Sequence, residues 1–295
     1  MAQILGSITW NNSFNKMLNY LRSAIVFLFI FLASCGTKDD GAALRLNKAR
    51  ELFSNKNYSQ AKLEIDSLHI LYPKAFDERK AGLALLDTIR KEENIQIINE
   101  CDSLIKRYTP ELEKIKSLFS FQRNKEYQET GTYIPRESVA NTITGTTFRS
   151  GVTEEGKLYL ESVFMGQQKH DRIKIAARDG SFAESLPVKD DGLNYRFSNM
   201  GNNYEIIRFA GETENGIAKF IYSNQDKPLT LTLLGTRTYS YTLSQTIKSA
   251  VSKSFQLSTM MLQLDSLNKA KEEAEFRNYY LDNKKGKKAK ETGEM

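Results

Sequence analysis

The spacing of apolar residues changes twice along this chain, and that change limits its fold more than any single motif. Between residues 43 and 118 apolar side chains recur at steps of three and four, which is typical of amphipathic helices. Between residues 144 and 243 they occur in short alternating runs separated by Gly, Asn and Asp, which is typical of strands joined by tight turns. From Ser244 to Tyr280 the helical spacing returns. We therefore expect an α+β protein.

These changes of period divide the chain into regions. We expect a helical repeat-like region over residues 43–128, an antiparallel β-domain over 129–243 and a C-terminal helix over 244–282. Short strands at regular spacing predict a meander that closes as a sandwich or a barrel. A helix is predicted on each side of the β-domain, at Glu111–Tyr127 and Ser244–Leu267, and we expect the two to pair as antiparallel neighbours.

The first helical region carries a short repeat signature. Ala49-Arg50-Glu51-Leu52-Phe53 is followed by a turn with Tyr58, then by Ala61, and the second helix ends at Tyr72-Pro73. These residues resemble one tetratricopeptide-type repeat, and the resemblance implies two antiparallel helices in close contact at small residues.

A second copy of the repeat is suggested further along the chain. Asp66-Ser67-Leu68 recurs 36 residues later as Asp102-Ser103-Leu104, which is near the period of helical-hairpin repeats. The segment Asp77–Arg107 then reaches Tyr108-Thr109-Pro110, which is similar to Tyr72-Pro73. We expect two degenerate hairpins that serve either as a scaffold or as a peptide-binding groove.

An apolar run near the start of the chain, Ala24–Leu32, ends just before a cysteine. A run of nine residues is too short to cross about 30 Å of hydrocarbon, which needs roughly 20 helical residues. With Arg22 before it and small residues after it, the run matches the apolar region of a secretory signal. Leu32-Ala33-Ser34-Cys35, with Gly36 next, resembles the signal of bacterial lipoproteins. In that family the cysteine thiol receives a diacylglyceryl group, the chain is cut before it, and the new amino terminus is acylated.

The resemblance implies that residues 1–34 are a signal peptide, that Cys35 is lipidated and that residues 35–42 are a tether. Because Met17–Arg22 fits the start of such a signal better than Met1–Lys16 does, residues 1–16 are either a start-site artefact or a long leading region. The lipoprotein signal has two alternatives: an ordinary cleaved signal peptide with a chance cysteine, and a short buried helix.

The residues after the cysteine bear on which face of the membrane is occupied. Cys35-Gly36-Thr37-Lys38-Asp39-Asp40 and the overall layout resemble lipoproteins of Bacteroidetes-type bacteria, in which acidic residues after the cysteine can direct surface export. Lys38 departs from that pattern. We therefore expect a lipid-anchored protein of the cell envelope, at the outer membrane, with the periplasmic and surface faces both open.

The formal net charge of +6 is mild, and much of it lies in the segment Lys284–Lys290. We expect residues 283–295 to be a disordered basic tail, which either stays in solvent or contacts anionic lipids or cell-wall polymers. Nucleic-acid binding is not expected of an exported chain.

Cys101, in the helical segment Ile95–Leu104, has no disulfide partner if Cys35 is lipidated, and we expect it to be a half-buried packing residue.

Few residues point to catalysis. The chain has two histidines. We expect His69 at the surface or in helix packing, and His170 at the start of a strand after Gly166-Gln167-Gln168, as a turn residue rather than a catalytic one. The sequence contains no zinc-ligand cluster, nucleophile elbow or phosphate-binding glycine loop, and Asp190-Asp191 reads first as a turn. We expect no catalytic residue, no cofactor and no metal. The predicted function is a non-enzymatic envelope scaffold or protein-interaction module; the alternative is a lipoprotein whose β-domain binds a glycan or a lipid.

Overall fold

The computed structural model describes residues 40–123, 126, 130–138, 145–167, 169–189, 194–199 and 201–292. These ranges contain five α-helices and ten β-strands, so the predicted α+β class is confirmed. The helices are α1 (Asp40–Ser54), α2 (Tyr58–Leu71), α3 (Phe76–Lys116), α4 (Ile217–Ser223) and α5 (Gln245–Thr292). The strands are β1 (Phe119–Gln122), β2 (Thr132–Pro135), β3 (Thr147–Thr153), β4 (Leu158–Met165), β5 (His170–Ala177), β6 (Phe182–Glu184), β7 (Tyr195–Asn199), β8 (Asn202–Ala210), β9 (Leu229–Gly235) and β10 (Tyr239–Thr242).

The chain forms two compact units. The first contains the described residues up to Asn94 together with those from Leu281 onward, and the second contains residues 95–280. Two helices, α3 and α5, contribute residues to both units.

The first unit is built on the hairpin of α1 and α2. Ala49 and Ala61 are fully buried against each other's helix, with Ile65 and Ile89 completing the cluster. Small side chains at the crossing let the two helices approach closely, as the tetratricopeptide resemblance implied for this segment. In the same unit Lys284 of α5 forms an ion pair with Asp87 of α3 at 3.1 Å.

The second predicted hairpin is wrong. α3 is one continuous helix from Phe76 to Lys116, and it passes through Pro110. The stretch from Leu83 to Thr109 holds neither glycine nor proline, so nothing in it favours a turn. Pro110 removes one backbone hydrogen bond without ending the helix.

The second unit contains two antiparallel sheets. The six-stranded sheet has the order β1-β2-β3-β4-β8-β7, and the four-stranded sheet has the order β10-β9-β5-β6. Inward side chains of both sheets share one core, for example Leu160 and Phe209 from the first sheet with Ile175 and Leu231 from the second. The unit is therefore a sandwich rather than one closed barrel.

The predicted pairing of the helices before and after the β-domain is confirmed. Within the second unit, Ile105 and Leu112 of α3 pack in one cluster with Leu257, Leu264 and Met261 of α5. The helix before the sheets is shorter than predicted, however. It ends at Lys116 instead of near Tyr127, because the alternating sequence Phe119–Gln122 forms β1, with Phe119 buried.

One predicted strand is a helix. The turn signal Asn215-Gly216 followed by Ile217–Tyr222 predicts a strand, but Ile217–Ser223 forms α4. Both turn residues have positive φ angles, 48° and 79°, and a helix follows them. Ile217, Ala218 and Ile221 are buried, a spacing that fits one helical face. A run this short is compatible with either period, which explains the error.

The ends of the described chain also differ from expectation. α1 begins at Asp40, inside the predicted tether, and α5 continues to Thr292, through most of the predicted disordered tail. Lys, Ala and Glu, which dominate that tail, are good helix formers. The predicted signal peptide and Cys35 lie outside the described residues. Among the helices described here, none combines the length and apolar character needed to cross a bilayer.

Candidate functional site

His170 lies at the centre of a buried polar network inside the sandwich. It begins β5, and a register shift between His170 and Arg172 marks a β-bulge there. The bulge changes the phase of the strand, so that His170 and Ile173 are both buried. The expected position of His170 at the start of a strand is confirmed, whereas its expected role as a turn residue is wrong, because its side chain has 0% exposure.

The network extends from β4 to β7 through this imidazole. Ser162 Oγ lies 2.5 Å from His170 Nε2, and Glu205 Oε2 lies 2.7 Å from His170 Nδ1. Arg196 Nε donates to Glu205 Oε1 at 2.7 Å. An N–H at Nδ1 donates to the carboxylate, and either Nε2 or the serine hydroxyl is the donor of the second contact, depending on the tautomer. We call these four residues the buried relay.

The carboxylate of Glu205 is the most heavily bonded group of the relay. Burial raises its pKa, but hydrogen bonds from the His170 ring, the His170 backbone N–H and Arg196 outweigh that effect and hold the pKa below its usual value. A buried carboxylate that accepts several hydrogen bonds is stabilised in its charged form. The sandwich thus keeps an ionised group at the edge of its core.

The order Ser162–His170–Glu205 is that of a nucleophile, a base and an orienting acid. However, Ser162 has 0% exposure, and its strand is hydrogen-bonded on both sides, by β3 and by β8. The cleft beside the relay is lined by Arg196 and Glu205, with neither Ser162 nor His170 among its lining residues. The hydroxyl is therefore buried among the described residues, and the geometry supports a role for the relay in positioning Glu205 and Arg196.

A solvent-open cleft of about 530 Å³ lies next to the relay. This volume is in the range typical of small-molecule sites, roughly 300–1,000 Å³. Amide, hydroxyl, cationic and aromatic side chains meet there. The lining residues are Gly166, Gln167, Lys169, Arg196, Phe197, Ser198, Asn203, Tyr204 and Glu205.

Aromatic rings extend from this cleft to the solvent. Phe197 and Tyr204 are stacked, with ring centroids 5.0 Å apart and planes 13° from parallel. Tyr195 lies 5.4 Å from Phe197 on the same strand, β7, and is 63% exposed. The row therefore begins at the buried ring of Tyr204, passes through the half-buried Phe197 and reaches solvent at Tyr195.

The rings and the relay share β7 and β8 but lie on opposite faces. Arg196 pairs with Glu205 on the inner face, while Phe197 pairs with Tyr204 on the outer face, since neighbouring residues of a strand point to opposite sides. The hairpin connects through Gly201, whose φ is 79°. Gly201-Asn202-Asn203, between the β-type runs that end at Phe197 and begin at Tyr204, predicts this hairpin, which positions both halves of the cleft.

A second, apolar groove of about 700 Å³ lies in the same unit, along the end of α3 and the middle of α5. Ile115, Leu118, Phe255 and Met260 form much of its lining, and Glu111 and Lys114 add charges of opposite sign. Its chemistry is therefore apolar without a net charge preference.

The remaining candidate residues have ordinary surroundings. His69 Nδ1 accepts from Arg79 Nε at 3.0 Å, in line with the packing role expected for it. Cys101 is a free, buried residue of α3. Asp190 and Asp191 lie outside the described residues. The part of the chain that the structure describes holds no cluster of side chains suited to a metal ion.

Sequence reasoning missed Ser162, Glu205 and Arg196. The available signal was a polar residue at an inward-facing position of a strand. Ser162 lies on the same strand face as Leu160 and Phe164, and Glu205 lies on the same face as Ile207. Comparison of the chain with protein-family models, with curated proteins and with solved structures gave no match.

Proposed function

We propose that this protein is a lipid-anchored, non-enzymatic binding protein of the cell envelope, and that its β-sandwich binds a carbohydrate in the cleft beside the buried relay. The single observation that carries the proposal is the row of rings Tyr195, Phe197 and Tyr204 beside amide and hydroxyl side chains.

The chemistry of the cleft suits a sugar. The faces of aromatic rings are negatively polarised and attract the polarised C–H bonds of a sugar ring, while they also bury its apolar face. Gln167 and Asn203 offer amide groups that donate to and accept from hydroxyls. Of the charged lining residues, Lys169 and Arg196 are positive and Glu205 is negative, so an acidic substituent on the sugar is compatible with the site.

The envelope location rests on the lipoprotein-like sequence before Cys35. Labelling cells with a palmitate analogue should tag the wild type and leave Cys35→Ala untagged; equal labelling of both would remove the anchor from the proposal. Protease treatment of intact cells then distinguishes the surface face of the outer membrane from the periplasmic face.

Carbohydrate binding is tested with an array of immobilised glycans and by calorimetry. We expect the wild type to bind at least one class of glycan, and Tyr195→Ala to bind it at least tenfold more weakly, about 1.4 kcal/mol or more. The matched control is Tyr279→Ala, because Tyr279 is 67% exposed on α5, compared with 63% for Tyr195. Wild-type protein that binds no glycan, or equal affinity of the wild type and Tyr195→Ala, would contradict the proposal.

The scaffold function expected from the helical repeats stays a prediction, as does contact of the Lys284–Lys290 segment with anionic lipids or cell-wall polymers. Crosslinking and affinity capture test the scaffold function, since recovery of one stoichiometric protein partner would favour it over carbohydrate binding.

A further inference from the structure

Among the described residues of the first unit, six large apolar side chains are exposed, and four of these lie within four residues of a helix end. Ile70 and Leu71, the last residues of α2, are 76% and 55% exposed, Phe76 at the start of α3 is 73% exposed, and Leu44 in α1 is 71% exposed. We call these four residues the end patch. Neighbouring exposed apolar side chains mark surfaces that contact another apolar phase.

The end patch lies where the chain enters the first unit. A Cβ atom on Gly41 would lie 2.4 Å from Tyr72 Oη, so the first turn of α1 is in contact with the residue after α2. Ala42 also packs in one cluster with Leu68 and Tyr72. The start of α1 and the connection between α2 and α3 are therefore at the same end of the unit.

The length of chain before α1 places this end near the proposed lipid anchor. α1 begins at Asp40, five residues after Cys35. A chain spans at most about 3.6 Å per residue, so Cys35 and the start of α1 are separated by no more than about 18 Å. With the lipid of Cys35 in a bilayer, the end patch is held within reach of the membrane surface.

We propose that the end patch docks on the lipid bilayer, with Ile70, Leu71 and Phe76 inserted at the headgroup–acyl boundary. This inference rests on the lipid anchor of the proposed function, and it adds a second membrane contact made by the folded unit itself.

Charge contributes little to this surface. The charged residues of the turn and of the first turn of α3 are Lys74, Asp77, Glu78, Arg79 and Lys80. Three are basic and two are acidic, so the net charge of this group is +1. Docking through the end patch is therefore driven by apolar burial and depends weakly on salt, unlike any contact made by the basic segment Lys284–Lys290.

The test uses the lipidated full chain in phosphatidylcholine vesicles that contain brominated lipids, which quench a nearby fluorophore. Labels are attached at Ile70→Cys and Phe76→Cys, and in the controls at Leu63→Cys and Leu83→Cys. Each control site is exposed, at 64% and 49%, and lies seven residues further into the same helix, about 10 Å from its partner site. Native Cys101 is buried, at 5% exposure.

We expect quenching at Ile70 and Phe76 to be at least about threefold stronger than at the controls, and to persist in about 1 M salt. Equal quenching at all four sites, in protein that floats with the vesicles, would overturn the docking and leave the anchor standing. If the labels become shielded from solvent as the amount of protein per vesicle rises, but brominated lipid does not quench them, the patch contacts a second copy of the chain. That result would also overturn the docking. Failure to float would overturn both the anchor and the docking.

Discussion

Replacement of Glu205 by Gln should destabilise the second unit far more than the same change at Glu161. Glu205 is 3% exposed and accepts three hydrogen bonds, from the backbone N–H of His170 at 3.0 Å, from its ring at 2.7 Å and from Arg196 at 2.7 Å. A glutamine keeps the shape but carries one oxygen instead of two. Its NH₂ group must therefore face one of these donors.

The expected loss can be estimated from these contacts. Removing one partner of a buried ion pair costs about 3–5 kcal/mol. Arg196 is 33% exposed, so water can partly replace the lost carboxylate and the lower end of the range applies. We expect Glu205→Gln to lower the free energy of unfolding by about 3 kcal/mol.

Glu161 provides the matched control. It lies on β4 and also contacts two arginines, Arg149 at 3.0 Å and Arg208 at 2.7 Å. Arg208 is 53% exposed, whereas Arg149 is 29% and Glu161 13% exposed, so this cluster is open to water on the side of Arg208. Such pairs contribute about 0–1 kcal/mol, and Glu161→Gln should stay within that range.

Urea denaturation followed by far-UV circular dichroism measures both variants. A difference of about 2 kcal/mol between them corresponds to about a 30-fold difference in the unfolding equilibrium constant. If Glu205→Gln loses no more stability than Glu161→Gln, the hydrogen bonds of Glu205 in the buried relay do not stabilise the sandwich.

Three further predictions concern the pH dependence of Glu205, the buried Lys248 and the close approach of β9 at Gly235. Because the folded state lowers the pKa of Glu205 below its usual 4.5, the stabilisation by its carboxylate is present above that pH and is lost as the pH falls further. In acid titrations of unfolding, the stability gap between wild type and Glu205→Gln should therefore stay constant above about pH 5 and narrow below about pH 4.5. Lys248 is 5% exposed and donates to two backbone carbonyls at 2.7 and 2.8 Å. Lys248→Met should therefore lower the free energy of unfolding by about 1–3 kcal/mol. An unchanged midpoint in urea denaturation would contradict this role. A Cβ at Gly235 would lie 2.0 Å from the carbonyl oxygen of Lys169. Gly235→Ala should therefore lower the free energy of unfolding by about 1–3 kcal/mol, together with the melting temperature. A melting temperature equal to that of the wild type would show that β9 can shift to admit the methyl group.

The elements that the sequence predicted well are those with a long, clear period. The alternation in β4 and β8 predicts half-buried strands, and the spacing of Leu257 and Leu264 predicts the stripe by which α5 packs on α3. The short segment Ile217–Ser223 fits either period, and only its burial in the sandwich core decides that it is helical.

The candidate site was harder to predict because it depends on register. Strict alternation along β5 that buries Ile173 and Ile175 would point His170 outward, and the bulge reverses this. Glu205 comes near Ser162 only because β8 lies beside β4, with Glu205 opposite Phe164. Such pairings between distant segments cannot be read from one sequence, whereas the polar residues at inward positions can.

The most direct test of the carbohydrate cleft is nuclear magnetic resonance of the ¹⁵N-labelled chain titrated with the glycan that binds best. We predict that the backbone amides of Gln167, Lys169, Ser198 and Asn203, which belong to residues that line the cleft, shift with a single affinity. In Tyr195→Ala the same shifts should require at least about tenfold more glycan. Shifts confined to residues along the apolar groove, such as Ile115 and Met260, or no shifts with any glycan, would contradict this prediction.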